Sequence, residues 1–232
     1  LLPRQQARAE APLVAPHRLR AAVALSLVAG LGLTLPGRAA AAGAGELVTG
    51  AHRGLAYKLY VPGPRPAGVR GRAPMVVMLH GCTQDPDQFM TSTRMNQLAE
   101  REGFVVLYPA QSVLANPRKC WSWFMPQHTT RGKGEAGAIA GLVEQIASER
   151  GVDRQRIFVA GLSAGGAMAA VLGATYPELF AAVGVAAGLP YAAATDVDSA
   201  LKAMATGAAP GSYGPEKVLA AMGERKRVVP LV

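Results

Sequence analysis

The chain has 232 residues, of which 50% are hydrophobic and 17% are charged, and its formal net charge is +9. This hydrophobic share excludes a generally disordered chain, and the length favours one domain of ordinary size. The positive charges are spread mostly over single residues rather than gathered on one face, which argues against a nucleic-acid binder.

The first 45 residues have the pattern of a leader. A small basic block contains Arg18, an apolar run covers residues 21–35, and a stretch of small residues ends at Ala44. These are the three parts of a secretory signal peptide, and the apolar run is too short for a stable membrane span. A buried helix is the alternative, although the run has no 3.6-residue apolar stripe. We therefore predict a secreted, extracellular protein whose mature chain begins near residues 41–45.

The predicted elements of residues 46–232 begin with a strand at residues 57–61 and a Pro- and Gly-rich loop at 62–74. Residues 75–79 and 104–108 are short, continuous apolar runs bounded by turn residues. Such runs are typical of strands that are buried on both faces of a parallel sheet. Between them, residues 94–102 have the apolar spacing of a helix that ends at a glycine.

The second half of the chain continues the alternation. Residues 116–133 lack a period and are predicted to form a loop, and residues 192–214 are also weakly patterned. Helical spacing predicts two helices, at 135–150 and 164–176. Further buried strands are predicted at 156–160, at 181–187 and, as the start of a last strand, at 228–232. Strands that alternate with helices predict a three-layer α/β/α fold with a mainly parallel sheet.

One motif carries the chemistry. Gly161-Leu162-Ser163-Ala164-Gly165 fits the pattern G-x-S-x-G and stands directly between a predicted strand and a predicted helix. A nucleophile elbow needs this context, because small residues on both sides let the turn be sharp enough to expose the serine. The alternative is a serine that only caps the helix. The context favours Ser163 as a catalytic nucleophile.

A serine nucleophile also needs an oxyanion hole, since negative charge develops on the substrate oxygen. The backbone N–H of Ala164 is one expected donor. The loop after residues 75–79 begins His80-Gly81-Cys82, and we expect the N–H of Cys82 to be the second donor. His80 is interpreted as a structural residue of this loop. The number and context of the two cysteines leave two alternatives open, since Cys82 and Cys120 form either one disulfide or two buried thiols.

The sequence resembles the polyhydroxybutyrate depolymerase family of esterases, within the α/β-hydrolases, alongside feruloyl and acetylxylan esterases. Three segments carry the resemblance: residues 79–84, 120–124 and 161–168. It implies hydrolysis of polyester or acylated-polysaccharide esters through an acyl-enzyme, with no cofactor. It also implies that Trp121 and Trp123 border the substrate cleft, although simple packing is the alternative, and that Cys82 and Cys120 form a disulfide.

The acid and the histidine that a catalytic serine requires are not found at the positions where the fold places them. An α/β-hydrolase triad follows the chain order Ser, then acid, then His. Every histidine of this chain precedes Ser163: His17, His52, His80 and His128. Asp196 and Asp198 precede the last predicted strand and fit the acid poorly. We therefore expect a fold that is incomplete at the C-terminus, an Asp and a His beyond Val232, and a 232-residue chain that is nearly inactive and poorly soluble.

Two rival functions stay open. A non-catalytic α/β-hydrolase relative could act as a binding or surface protein, and an acyltransferase could use the same nucleophile with an alcohol in place of water. The two cysteines and four histidines lack the spacing of metal ligands, so no metal is expected. No pattern in the sequence indicates the oligomeric state.

Overall fold

The computed structural model describes residues 45–64 and 70–232, so the predicted signal peptide lies outside the described residues. Its strands are β1 (Glu46–His52), β2 (Leu55–Val61), β3 (Met75–Leu79), β4 (Val105–Ala110), β5 (Ile157–Leu162) and β6 (Ala182–Ala186). Its helices are α1 (Pro86–Thr93), α2 (Met95–Glu102), α3 (Pro126–Thr129), α4 (Gly134–Glu149), α5 (Ala164–Thr175), α6 (Val197–Thr206) and α7 (Pro215–Met222).

The six strands form one sheet in the order β1-β2-β4-β3-β5-β6. The first two form an antiparallel hairpin, and β2 is also antiparallel to β4. Arg53 and Gly54 make the hairpin turn with φ values of 49° and 82°, as a two-residue turn between twisted strands requires. The remaining four strands are parallel. The predicted α/β-hydrolase fold with a mainly parallel sheet is therefore confirmed.

The register of the central strands places two loops side by side. β3 pairs with β5 so that Leu79 lies opposite Gly161, the last and second-last residues of those strands. The segments that leave the two strands, beginning at His80 and at Ser163, therefore emerge at the same edge of the sheet. This is the edge where ligands bind in open α/β folds.

The core lies between the sheet and two central helices. α4 buries the apolar side that its spacing predicts, including Ile139, Leu142 and Ile146. α5 is almost entirely buried and is made of small residues, so its backbone approaches the sheet closely. A Cβ added to Gly173 would lie 2.7 Å from a methyl group of Val183 in β6. The small-residue helix predicted at 164–176 is thus an adaptation to close helix–sheet packing.

The structure corrects the weakly patterned parts of the prediction. Residues 116–133 contain the short helix α3, and residues 192–214 contain α6. β1, α1 and α7 have no counterpart among the predicted elements. The strand expected at 228–232 is a single parallel bridge between Leu231 and Val183, with the Pro230 carbonyl accepting from the Val183 N–H at 2.9 Å. No helix of the described part has the length and apolar character needed to cross a membrane.

Candidate active site

Ser163 occupies a strained turn between β5 and α5. Its φ and ψ are 55° and −119°, a conformation that glycine adopts far more readily than residues with a Cβ. The Ser163 N–H donates to the Ala186 carbonyl of β6 at 2.8 Å, which fixes the turn, and the residue is exposed. Its side chain makes no capping hydrogen bond to α5, so the contacts do not support the helix-cap alternative.

Two glycines make this turn sterically feasible. A Cβ on Gly161 would lie 2.2 Å from the Gly165 carbonyl oxygen. A Cβ on Gly165 would lie 2.1 Å from the Leu79 carbonyl oxygen, at the end of β3. Both contacts are with backbone, which cannot rotate away as a side chain can. The small residues of the G-x-S-x-G pattern therefore have a packing reason at both positions.

The two amides expected to form the oxyanion hole are the backbone N–H groups of Ala164 and Cys82. Within residues 45–64 and 70–232, neither the Ala164 N–H nor the Cys82 N–H donates a hydrogen bond to the protein. Gly81 lies close to the serine, since a Cβ on Gly81 would be 3.6 Å from the Ser163 Cβ. The N–H of Gly81 itself donates to Gln84 Oε1 at 2.9 Å, which leaves the next amide, that of Cys82, available.

A disulfide and a backbone hydrogen bond attach the loop after β3 to the segment around residues 118–120. Cys82 and Cys120 are joined by a disulfide bond, the pairing that the family resemblance implies. Beside it, the Thr83 N–H donates to the Arg118 carbonyl at 2.6 Å. The loop that carries the Cys82 amide is thus attached to the segment before Trp121 by one covalent bond and one hydrogen bond.

His80 is buried and uses both ring nitrogens within the protein. Nδ1 lies 2.8 Å from the Gly81 carbonyl oxygen, and Nε2 accepts the Gln111 N–H at 3.1 Å. A carbonyl can only accept and a backbone amide can only donate, so the ring is neutral with its proton on Nδ1. Desolvation by burial holds the pKa of His80 below its ordinary value. These contacts fit a structural residue of the loop rather than a base for the serine.

A cavity of about 390 Å³ opens beside Ser163. Its walls come from the elbow, from the segment after β6 and from α6. They are formed by Trp123, Ser163, Ala164, Ala167, Ala187, Gly188, Leu189, Ala203 and Met204. A volume of this size, with polar and apolar surface in nearly equal parts, suits a small ligand that has a polar group and a short aliphatic part.

The two tryptophans predicted at the cleft have different positions. Trp123 lines the cavity and packs edge-on against Phe124 with ring centroids 5.3 Å apart. Trp121 is fully buried and does not line this cavity, which favours the packing alternative for this residue. Its Nε1–H donates to the His80 carbonyl at 3.1 Å, which places Trp121 behind the loop after β3.

No histidine of the described ranges is hydrogen-bonded to the Ser163 hydroxyl. The Nδ1 of His52 pairs with the Gln145 side chain on α4. The Nδ1 of His128 lies 3.6 Å from Glu135 Oε1. The part of the chain described here therefore holds the elbow and the two amides, but no base in contact with the serine.

Two of the acids that follow Ser163, Asp196 and Glu178, make contacts that stabilise the fold. Asp196 caps α6 by accepting the Ser199 N–H at 2.8 Å, and this hydrogen bond lowers the pKa of Asp196. Glu178 pairs with Arg131 at 2.5 Å. Among the described residues, no three His, Cys, Asp or Glu side chains are grouped as metal ligands would be.

Several residues of this region carry no signal in the sequence. Leu189 and Met204 line the cavity, yet they lie in the segment after β6 and in α6, which have no motif. The Gln111 N–H donates to His80 in the loop after β3, and the Gln111 side chain donates to Glu135, although the three residues are far apart in the chain. Only the three-dimensional arrangement of those parts brings them together.

Comparison of the sequence with known proteins identifies a family of esterases to which this chain is similar. The family model described as Esterase PHB depolymerase matches residues 55–221. Poly(3-hydroxyalkanoate) depolymerase C of Paucimonas lemoignei is 40% identical over 162 residues, covering 70% of this chain and 37% of that protein. Probable acetylxylan esterase A of Neosartorya fischeri is 36% identical over 151 residues, covering 63% and 39%. The chain thus spans about two-fifths of the length of these curated relatives.

Solved structures agree with this fold. An acetyl xylan esterase from Aspergillus awamori superposes with a TM-score of 0.58 at 29% identity, covering 68% of this chain and 56% of that one. The fluorophosphonate-binding serine hydrolase F of Staphylococcus aureus gives a TM-score of 0.56 at 14% identity, covering 82% and 78%. At that identity the second likeness shows the shared fold alone.

Proposed function

Because the chain belongs to the esterase PHB depolymerase family, whose model matches residues 55–221, we propose that it is a secreted serine carboxylic-ester hydrolase. The observation that carries this proposal is the arrangement around Ser163. An exposed serine in a strained turn lies beside a loop with a free amide, and its own helix supplies a second. Serine nucleophiles and oxyanion holes need these features.

In the proposed mechanism, the Ser163 Oγ attacks the ester carbonyl carbon and its proton passes to a base. The carbonyl oxygen becomes an oxyanion that accepts hydrogen bonds from the N–H groups of Ala164 and Cys82. Collapse of this intermediate breaks the bond to the alcohol, which leaves with the proton. Water then attacks the acyl-enzyme in the same way and releases the carboxylic acid. We assign no base among the described histidines, since none contacts Ser163.

The proposed substrates are polyhydroxyalkanoate-type polyesters or acyl esters on polysaccharides. The names of the two relatives, a poly(3-hydroxyalkanoate) depolymerase and an acetylxylan esterase, support both classes. The cavity supports a short aliphatic acyl group, because Leu189, Met204 and Trp123 offer apolar surface beside the serine. This lining would accept either a hydroxyalkanoate unit or an acetyl group.

The test is hydrolysis of p-nitrophenyl acetate and butyrate by two proteins. One is the natural protein, meaning the protein as its gene encodes it, and the other is the 232-residue chain. We expect Ser163→Ala to lower kcat/KM by a factor on the order of 10³ or more in the natural protein. The matched control is Ser148→Ala, an exposed serine on α4, which leaves kcat/KM unchanged. We expect the 232-residue chain to be nearly inactive, because no described histidine contacts Ser163.

Three outcomes would contradict the proposal. Hydrolysis that survives Ser163→Ala would exclude this serine as the nucleophile. A natural protein that hydrolyses neither ester nor polyester film would favour the non-catalytic binding protein that the sequence leaves open. Transfer of the acyl group to an added alcohol at the expense of hydrolysis would identify an acyltransferase instead.

The proposal of secretion rests on the leader pattern between Arg18 and Ala44 and on the Cys82–Cys120 disulfide. Disulfides persist in oxidising compartments and are rare in the cytosol. We expect the exported protein to begin near residues 41–45, which N-terminal sequencing of material from the culture medium checks. Material that retains its leader, or that stays inside the cell, would count against export.

A further inference from the structure

Glu135 is a buried carboxylate to which the proposed mechanism gives no role. It lies in the first turn of α4, and only 9% of its side chain is exposed. Oε1 accepts from Gln111 Nε2 at 2.6 Å, and Oε2 accepts from the Ser122 N–H at 2.6 Å. Burial of a carboxylate is costly unless the group is hydrogen-bonded, and these two short hydrogen bonds offset part of that cost.

The first arm of this network runs through Gln111, the residue that follows β4. Its Nε2 also donates to the Cys120 carbonyl at 3.1 Å, and its Oε1 accepts from the Ser112 N–H at 3.0 Å. The side chain of Gln111 is therefore held at every polar atom. Its own backbone N–H donates to His80 Nε2, so Glu135 fixes the residue that fixes the His80 ring.

The second arm runs through Ser122 and its neighbour. Glu135 Oε2 holds the Ser122 N–H, and the preceding residue, Trp121, donates its Nε1–H to the His80 carbonyl. Both arms start at one carboxylate and end at His80, one at the ring and one at the backbone. Two constraints on one residue define its orientation better than either alone.

His80 transmits this orientation to the oxyanion hole. Its Nδ1–H donates to the carbonyl oxygen of Gly81 at 2.8 Å. That carbonyl and the N–H of Cys82 belong to the same planar peptide unit, so fixing one end of the plane aims the other. A hydrogen bond to the carbonyl also polarises the peptide, which strengthens its N–H as a donor.

From these contacts we infer that Glu135 is a positioning residue, which aims the Cys82 N–H at the oxyanion through Gln111, Ser122 and His80. This inference rests on the proposed function, because it assumes that Ser163 is the nucleophile. Glu135 touches no reacting atom. Its effect is expected on the transition state, where the oxyanion exists, and not on binding of the substrate, where it does not.

The test is Glu135→Gln in the natural protein, with Glu144→Gln as the matched control. Glu144 lies on the same helix, is half exposed and pairs with Arg154 at the surface. The amide introduced by Glu135→Gln can accept at only one atom and turns an N–H group toward either Gln111 or Ser122. We measure kcat and KM for p-nitrophenyl acetate, and count intact sites by stoichiometric fluorophosphonate labelling.

We expect Glu135→Gln to lower kcat per labelled site about 10- to 100-fold with KM changed less than about threefold. Binding of a boronic acid, which forms a tetrahedral adduct on the serine, is expected to weaken by the same factor as kcat/KM. Glu144→Gln is expected to match the wild type in all three. A merely structural role would reduce the number of labelled sites and leave kcat per site unchanged, and this result would overturn the inference.

Failure of the inference and failure of the proposed function are distinguishable. If Ser163→Ala abolishes hydrolysis while Glu135→Gln retains the wild-type kcat per site, only the positioning role is wrong. If Ser163→Ala retains activity, the proposed function itself is wrong. Should Glu135→Gln not fold, Gln111→Met cuts the first arm at the same carboxylate, and the same selective loss in kcat is expected. An unchanged kcat in Gln111→Met would overturn the inference.

Discussion

At the scale of single residues, the backbone of Ser163 adopts a strained conformation that leaves the residue exposed. Its φ of 55° with ψ of −119° is a conformation that costs about 1–3 kcal/mol for a residue with a Cβ. The surrounding strands and α5 hold the residue there, and the turn leaves it exposed near the loop that carries the Cys82 amide. A glycine at this position would adopt the same backbone without that cost.

We therefore predict that Ser163→Gly is more stable to unfolding than Ser163→Ala, by about 1 kcal/mol. Urea denaturation of the two proteins measures the difference. Ser163→Ala is the matched control, because it removes the hydroxyl and keeps the Cβ. Equal stabilities would mean that the turn is not strained.

His80 makes stability depend on pH in a defined direction. Burial holds its pKa below the ordinary value of 6.5, so the unfolded chain binds a proton more readily than the folded one. The folded state consequently loses stability as the pH falls from 6.5 toward that lowered pKa, and the contribution is fully present above 6.5. A proton on Nε2 would also face the Gln111 N–H, a second donor.

The expected loss is at most about 1.4 kcal/mol per pH unit below pH 6.5, the limit for a single proton. Denaturation curves between pH 7.5 and pH 5 measure this slope. His80→Asn is expected to lower stability overall and to flatten the slope. A wild-type slope that persists in His80→Asn would show that another group is responsible.

At the scale of elements, the junction of β5 and α5 depends on backbone contact with β3. Gly165 is the position where this contact is tightest, since an added Cβ would meet the Leu79 carbonyl at 2.1 Å. We predict that Gly165→Ala lowers the free energy of unfolding by at least about 3 kcal/mol, because only a backbone shift can relieve the overlap. Thermal or urea denaturation measures the loss.

Gly141→Ala in α4 is the matched control for that substitution. The added Cβ meets only the ring nitrogen of His52, at 3.0 Å, and alanine favours the helix over glycine. Its stability is expected within about 1 kcal/mol of the wild type. Similar costs at the two positions would indicate that α5 does not pack against β3 as described.

The sequence predicts the strands and helices whose burial produces a regular spacing of apolar residues along the chain. The buried strands β3, β4 and β5 are continuous apolar runs, and α4 has an apolar side with helical spacing. β1 has no such pattern, because it is an edge strand whose side chains are mostly exposed. α6 and α7 were also missed, since few of their residues are buried and their apolar residues face solvent in part.

The candidate site likewise contains residues that a sequence pattern predicts and residues that it does not. Ser163, its flanking glycines and the His80-Gly81-Cys82 loop follow from a motif and from the order of strands. The disulfide between Cys82 and Cys120 was implied by resemblance alone. The contacts of Glu135 and Gln111 join parts of the chain that only the tertiary fold brings together. The burial of Trp121, which favours its packing role, also depends on the tertiary fold. Local sequence patterns do not predict such contacts between residues that are far apart in the chain.

At the scale of the whole molecule, the described part combines the elbow, two free amides and a cavity at the carboxyl edge of one sheet. Membership of the esterase family agrees with that arrangement. The central claim is that the Ser163 hydroxyl becomes acylated during ester hydrolysis. The roles proposed for Cys82 and Glu135 depend on it.

The most direct test is to quench the natural protein in acid during turnover of p-nitrophenyl butyrate and to map the bound butyryl group by mass spectrometry. Ser163 lies in the tryptic peptide of residues 157–202. We predict a butyryl ester on Ser163 that is absent from Ser163→Ala and that disappears when the substrate is exhausted. A butyryl group on another residue, or hydrolysis without any covalent adduct, would contradict the account.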